Sequence, residues 1–277
     1  MSRPQGLDLQ KALNCNPGEP IMPPLVYETA AWLRLYSCLP TPALPGEGES
    51  AALADPARNA YAAPIAGAIV GATGGLVLAV VWHLGASPFV AAAFALLALV
   101  AITCGRAERA LAASAEKLGG GGALDAPVGT RLMGYGVIAI VIAVLIRAGT
   151  MEGLIFYGIW NAAFALVAAG AVARAMALAF ALMRPAGAGG TPPATTETDK
   201  TALQWLAISG LGIGIVATLP GFGLAATVAG VAASAGAVAL VTAFVPRGIG
   251  DGRDFSGSAE LVAEIAFLVA VLAFAST

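Results

Sequence analysis

Residues 59–105 read NAYAAPIAGAIVGATGGLVLAVVWHLGASPFVAAAFALLALVAITCG, without a single Asp, Glu, Lys or Arg. A bilayer core about 30 Å thick takes about 20 apolar helical residues to cross. This stretch is therefore long enough for two crossings. The Gly85-Ala86-Ser87-Pro88 punctuation places the turn between them, which predicts helices at about 64–82 and about 88–104. Working outward, Thr201 to Pro246 is again free of charge, and Pro220-Gly221 divides it. Helices are predicted there at about 203–219 and about 223–245, with others at about 132–147, about 154–183 and about 259–275. The reading is an all-α, polytopic transmembrane bundle of about seven spans. Its membrane-embedded domain occupies 59–277, after a Pro-rich cytoplasmic or interfacial segment over 1–58. Within that segment, residues 25–39 (LVYETAAWLRLYSCL) suit an interfacial amphipathic helix, being too short and too charged at Glu28 and Arg34 to span.

Composition agrees. Of 277 residues, 58% are hydrophobic and 11% charged, and the mean hydropathy is +0.84. Soluble domains carry about 25% charged residues, so a soluble enzyme is excluded. A net charge of −2 leaves no basic footprint for nucleic acid. The three cysteines, Cys15, Cys38 and Cys104, lie far apart, supporting neither a disulfide framework nor a zinc site. No signal peptide is expected, since no apolar run follows the first basic residue. With seven spans and a cytoplasmic N-terminus, twelve of the 14 basic residues fall inside. Arg147 then faces out at a helix end, and Arg174 lies within a span. Trp32, Trp82, Trp160 and Trp205 suit the interfacial belts. Gly67-x-x-x-Gly71 and Gly210-x-Gly212-x-Gly214 offer close-packing faces.

Ionisable groups inside or beside spans are functional candidates by default. Glu108 and Glu116, eight residues apart, share a helical face. Such carboxylates would hold Mg2+ and a pyrophosphate, or simply belong to a solvated amphipathic helix. Arg131, before Tyr135-Gly136 at a helix start, is a candidate anion site. Arg174 is expected to face a partner or a polar cavity. Asp254 suits a helix cap, and Glu260 and Glu264 follow it into the last span.

The order of these features resembles the cobalamin 5′-phosphate synthase family over about residues 33–275. Leu39-Pro40-Thr41-Pro42 is similar to its L-P-x-P, and Pro64-x-x-Gly67-x-x-x-Gly71 to the start of its first helix. Of its acidic signature T-G-x-x-H-x-D-G-L-A-D-T-x-D-G, Thr103, Leu111-Ala112 and Glu116 match, and Glu108 stands where many members carry a Glu. Arg109 and Ala113 stand at the first two aspartates. Arg131 and Tyr135-Gly136 match its R-D-S-R-x-G-x-Y-G. Arg147 fits a basic residue ending that helix, and Arg174 fits the arginine of its A-x-x-S-R. Gly250, Asp254, Gly257 and Glu264 are similar to its C-terminal motif. The resemblance implies a membrane transferase of late vitamin B12 assembly in the bacterial inner membrane, active on the cytoplasmic side. It would join α-ribazole or its 5′-phosphate to adenosylcobinamide-GDP with release of GMP, using Mg2+. Implied roles are Glu108 and Glu116 as metal ligands; Arg131, Arg174 and Tyr135 on phosphate or substrate; and Asp254 and Glu264 as catalytic groups. Two alternatives stay open. One is a non-catalytic relative that scaffolds other cobalamin-assembly enzymes, motivated by the missing aspartates. The other is a small transporter, which the composition permits.

Overall fold

A computed structural model describes residues 24–38, 59–119, 134–183, 197–244 and 252–275, giving the backbone alone at 24, 183, 197–199, 244 and 252–255. Every described element is a helix. In chain order they are α1 (Pro24–Tyr36), α2 (Ala62–His83), α3 (Pro88–Ile102), α4 (Arg106–Gly119), α5 (Gly134–Ile155), α6 (Ile159–Met183), α7 (Glu197–Phe244) and α8 (Gly252–Ala275). The Leu39-Pro40-Thr41-Pro42 motif and Arg131 lie outside the described residues.

Among the described residues, five helices are long and apolar enough to cross a membrane, and the bent pair α3–α4 brings the number to six. The bend between α3 and α4 is 87°. It is made at Cys104 (φ 52°) and Gly105 (φ 59°), both in the left-handed region. The Gly105 amide donates to the Val100 carbonyl at 2.8 Å, which ends α3.

α7 is two crossings. A straight helix of 48 residues would be about 72 Å long, more than twice the bilayer core. Gly223, at φ 78° and ψ 177°, breaks it just after Pro220. The Thr218 and Thr227 hydroxyls hydrogen-bond at 2.9 Å, although nine helical residues would separate them by about 13 Å. The first half descends α6, with Gly210 on Ala175 and Gly221 on Asn161. The second half returns along α8, where Ser234 donates to the Ala263 carbonyl at 3.0 Å. The expected pair of helices meeting at Pro220-Gly221 is therefore present as an antiparallel hairpin. With it the bundle reaches about seven apolar crossings, the 15-residue α3 being the short one.

α6 is the central helix, packed by α2, α7 and α8. Its alanines at 162, 165, 168, 169, 171 and 173 are buried. Apolar burial gives no advantage over lipid, so helices in a bilayer associate through close packing. A Cβ on Gly67 would lie 2.2 Å from the Gly170 carbonyl oxygen, and one on Gly71 2.2 Å from that of Leu166. Gly67-x-x-x-Gly71 is thus a true backbone-on-backbone seam. The second glycine motif divides: Gly210 and Gly214 meet α6, while Gly212 meets nothing within 4 Å, because a helix puts i and i+4 on one face and i+2 on the other. Gly71→Leu is expected to destabilise the bundle by about 3 kcal/mol, the upper end of overpacking costs. Gly212→Leu is expected to be neutral. Thermal unfolding of the two variants in detergent checks the contrast.

Four expectations are corrected. The third predicted span does not end at Arg147. α5 continues to Ile155, and Arg147 is buried inside the bundle rather than outward-facing, because two carboxylates meet it there. The next helix starts at Ile159, not about 154, after a turn at Phe156–Gly158 with Gly158 at φ 116°. Trp32 is no belt residue; it is 4% exposed and donates through Nε1 to the Asn59 carbonyl at 2.9 Å. Finally, Cys38 and Cys104 are paired as a disulfide with a Cα–Cα distance of 6.1 Å. No local motif announces a pair 66 residues apart. It arises because α1 ends against the α3–α4 turn, where the Cys38 amide donates to the Ile102 carbonyl at 2.7 Å.

Candidate functional site

Where the α3–α4 corner meets α2, α5, α6 and α8, the helices leave a cavity of about 20 Å3. That is room for about one water molecule. Its polar walls are Glu108 from α4, Arg147 from α5, Arg174 from α6, and Glu260 and Glu264 from α8.

The charges are interlocked. Arg147 Nη1 donates to Glu108 Oε1 at 3.0 Å, and its Nη2 donates to Glu264 Oε1 at 2.6 Å. Arg174 Nη2 lies 3.1 Å from Glu260 Oε1, and its Nη1 donates to the Gly170 carbonyl at 3.2 Å. Both arginines are 3% exposed. Four residues separate Glu260 from Glu264, so one face of α8 presents both carboxylates. The planar guanidinium fork lets Arg147 serve two carboxylates on different helices at once. Four buried side-chain atoms keep no partner among the described residues: Thr29 Oγ1 on α1, and, on residues lining the cavity, Arg147 Nε, Arg174 Nε and Glu108 Oε2. Buried polar atoms are otherwise almost always satisfied. Two spare N–H donors and one spare carboxylate oxygen on one cavity's walls form a set that an oxyanion and a hydroxyl would complete.

α1 packs against one of the cavity's arginines. The Tyr36 ring lies 5.3 Å from the Arg174 guanidinium carbon and 5.5 Å from that of Arg106, within cation–π range. Trp32 stacks on Tyr36 at 5.4 Å, and Arg106 Nη1 donates to the Leu35 carbonyl. Burial pushes the Tyr36 hydroxyl above the usual phenol range, and the nearby Glu260 carboxylate adds to the rise. Tyr36 is therefore a neutral phenol at physiological pH.

The sequence-predicted residues separate into two groups. Glu108, Arg174 and Glu264 come together in the cavity. Glu116 does not join Glu108: its Oε1 accepts from the Gly136 amide at 2.8 Å, capping the start of α5. The shared face of Glu108 and Glu116 spans two turns of α4, and different neighbours take each end. Tyr135 is exposed at the start of α5, about 18 Å along the helix from Arg147. Asp254 falls in the first turn of α8; its side chain, like the whole of Arg131, lies outside the described residues. Arg109 and Ala113, where the resemblance puts aspartates, are exposed on the other side of α4.

Three members of the site receive no site role from the sequence. Arg147 is a lone charge in an apolar run, a signal weakened by ending its helix there. Glu260 stands one turn before Glu264, and that spacing was available. Tyr36 carries no local signal, because its role comes from the packing of α1.

The described residues do not fit the expected Mg2+. This ion takes near-octahedral oxygen coordination from carboxylates, phosphates and water. Among the described residues no three His, Cys, Asp or Glu side chains are placed to hold a metal. Each cavity glutamate already faces an arginine, and two guanidiniums on the same walls oppose a divalent cation.

Comparison with known proteins bears on the same residues. The family model described as Cobalamin-5-phosphate synthase matches residues 28–272. An adenosylcobinamide-GDP ribazoletransferase from Azorhizobium caulinodans is 34% identical over 258 residues, 91% of this chain and 97% of the relative. A protein of the same name from Xanthobacter autotrophicus is 35% identical over 90% of this chain and 97% of its own length. One from Rhizobium johnstonii is 32% identical over 88% and 95%. No solved structure matches the chain. The helical membrane architecture and a match from before Tyr36 to beyond Glu264 lead to one conclusion: this chain belongs to the cobalamin-5-phosphate synthase family, whose members include transferases of cobalamin biosynthesis.

Proposed function

We propose that this protein is an adenosylcobinamide-GDP ribazoletransferase of the bacterial inner membrane, with the α1 end of the bundle on the cytoplasmic side. The observation that carries the proposal is the trio of unpartnered buried atoms at Arg147, Arg174 and Glu108 in a chain that belongs to this family. The relatives, named as transferases, favour neither the scaffold nor the transporter reading. The described basic residues support the orientation: Arg34 lies on α1, Arg106, Arg109 and Lys117 on α4, whose start meets α1, and Lys200 at the start of α7, beside α1.

In the proposed reaction a ribose hydroxyl of α-ribazole attacks the phosphorus bonded to cobinamide. A new P–O bond forms, and the P–O bond to the guanylate phosphate breaks. GMP leaves with the bonding electrons. Arg174 Nε and Arg147 Nε donate to the pyrophosphate oxygens, where negative charge builds as that bond breaks. Glu108 Oε2 accepts the proton from the attacking hydroxyl. With α-ribazole 5′-phosphate the same hydroxyl attacks, and the 5′-phosphate is carried unchanged into the product. Little covalent chemistry is asked of the protein in phosphoryl transfer, so positioning and electrostatics supply the rate. No step is routed through a metal, because the described donors do not fit one.

Membranes containing this protein are expected to release GMP only when adenosylcobinamide-GDP and α-ribazole are both supplied. The gene should also restore B12-dependent growth to a bacterium lacking its own enzyme. Neither GMP release nor growth, with the protein verified in the membrane, would overturn the proposal.

A further inference from the structure

The cavity and the end of α1 beside it pose a problem of access. Ligand pockets usually measure about 300–1,000 Å3, whereas the space between Arg147 and Arg174 is about 20 Å3. Arg174 is itself 3% exposed, and Tyr36 covers one face of its guanidinium. Movement of the end of α1 would uncover that face of Arg174. That end is attached to the α3–α4 turn by the Cys38–Cys104 bridge, by the Cys38 amide on Ile102 and by Arg106 on the Leu35 carbonyl. Two residues span at most about 7 Å, so a closed bridge keeps Tyr36 close to the turn. Both cysteines are exposed, within reach of small thiols and disulfides.

We infer that Cys38 and Cys104 are a redox latch: as a disulfide they hold α1 closed over the Arg174–Glu260 pair, and as a dithiol they release it. Closing transfers two electrons and two protons from the two thiols to a small-molecule disulfide, which becomes two thiols. A small dithiol or two monothiols reverse the step by exchange through a mixed disulfide. On the cytoplasmic side, where disulfides are transient and often sensory, the latch would stand open in reducing conditions and close under oxidation. The hydrogen bonds and the aromatic stack give α1 a closed preference, and the bridge makes that preference obligatory.

The test uses the full chain in lipid nanodiscs, poised with reduced or oxidised glutathione. Peptide mapping is expected to find Cys38 joined to Cys104 in the oxidised sample and both free in the reduced one. Amide hydrogen exchange over residues 31–38 is expected to slow at least tenfold on oxidation. Cys104→Ser and Cys38→Ser are expected to exchange at the reduced rate in both conditions. Where turnover is measured, it is expected to fall at least tenfold on oxidation in the parent protein and to stay at the reduced rate in both variants. A bridge to Cys15 instead, thiols that remain free in oxidised glutathione, or α1 exchange equal in the two states would overturn the latch. The latch goes beyond the transferase reading, and the two fail separately. Redox-dependent exchange without GMP release in either state sinks the transferase reading alone, and GMP release indifferent to oxidation in the bridged protein sinks the latch alone.

Discussion

Arg147→Leu is expected to cost the bundle about 3–5 kcal/mol, the penalty for removing one partner of a buried ion pair and leaving the other uncompensated. Here two partners are abandoned. Glu108 on α4 and Glu264 on α8 both face Arg147. Denaturant unfolding in detergent, or the yield of monodisperse protein, reads the loss. Arg147→Lys is expected to fall between, because an ammonium keeps the charge but not the fork that reaches two carboxylates. The triple change Arg147→Leu, Glu108→Leu, Glu264→Leu is expected to recover much of the stability, since replacing a whole buried ion cluster by apolar groups is often neutral or better. It is expected to recover no turnover. An Arg147→Leu protein with parental stability would mean that the three-helix ion cluster does not hold the bundle together.

Arg174→Gln combined with Glu260→Gln is expected to lower turnover by about 10²–10³-fold, the usual loss when a preorganised donor to developing charge is removed. The double change matters. Arg174→Gln alone strands the Glu260 carboxylate that it neutralises at 3.1 Å and would confuse misfolding with lost chemistry. The paired amides keep the volume and a hydrogen bond while removing both charges. GMP release at saturating substrate measures the effect, beside a melting curve to show that the fold persists. Under the proposed mechanism the fall appears mainly in kcat, because the guanidinium is needed most as the leaving phosphate gains charge. A double variant that turns over at the parental rate would remove the cavity from the reaction.

These variants rest on residues of differing legibility. Arg174 was visible as a charge in the middle of an apolar run, and Glu264 as one a turn inside the last span; hydropathy alone marks such residues as costly. Glu108 and Glu116 were visible as a pair, yet only one of them lines the cavity. Helical periodicity says which residues share a face, while the identity of the neighbours at each end of that face comes from packing. Arg147 was placed at a membrane surface because its helix was expected to stop there. An arginine looks like a helix end when its counter-ions, 39 and 117 residues away in sequence, are not in view.

The sequence by itself determined the all-helical membrane class, most of the crossings, the Pro220-Gly221 turn and the Gly67-x-x-x-Gly71 seam. Each is a local matter: a bilayer forces every backbone polar group into a helix, and the lengths of uncharged runs count the crossings. Only the tertiary structure decided that Glu108, Arg147, Arg174, Glu260 and Glu264 share one cavity, that Tyr36 packs on Arg174, and that Cys38 meets Cys104. A buried charge takes whichever opposite charge the helix packing brings within about 3 Å, and no periodicity along one chain segment encodes that distance.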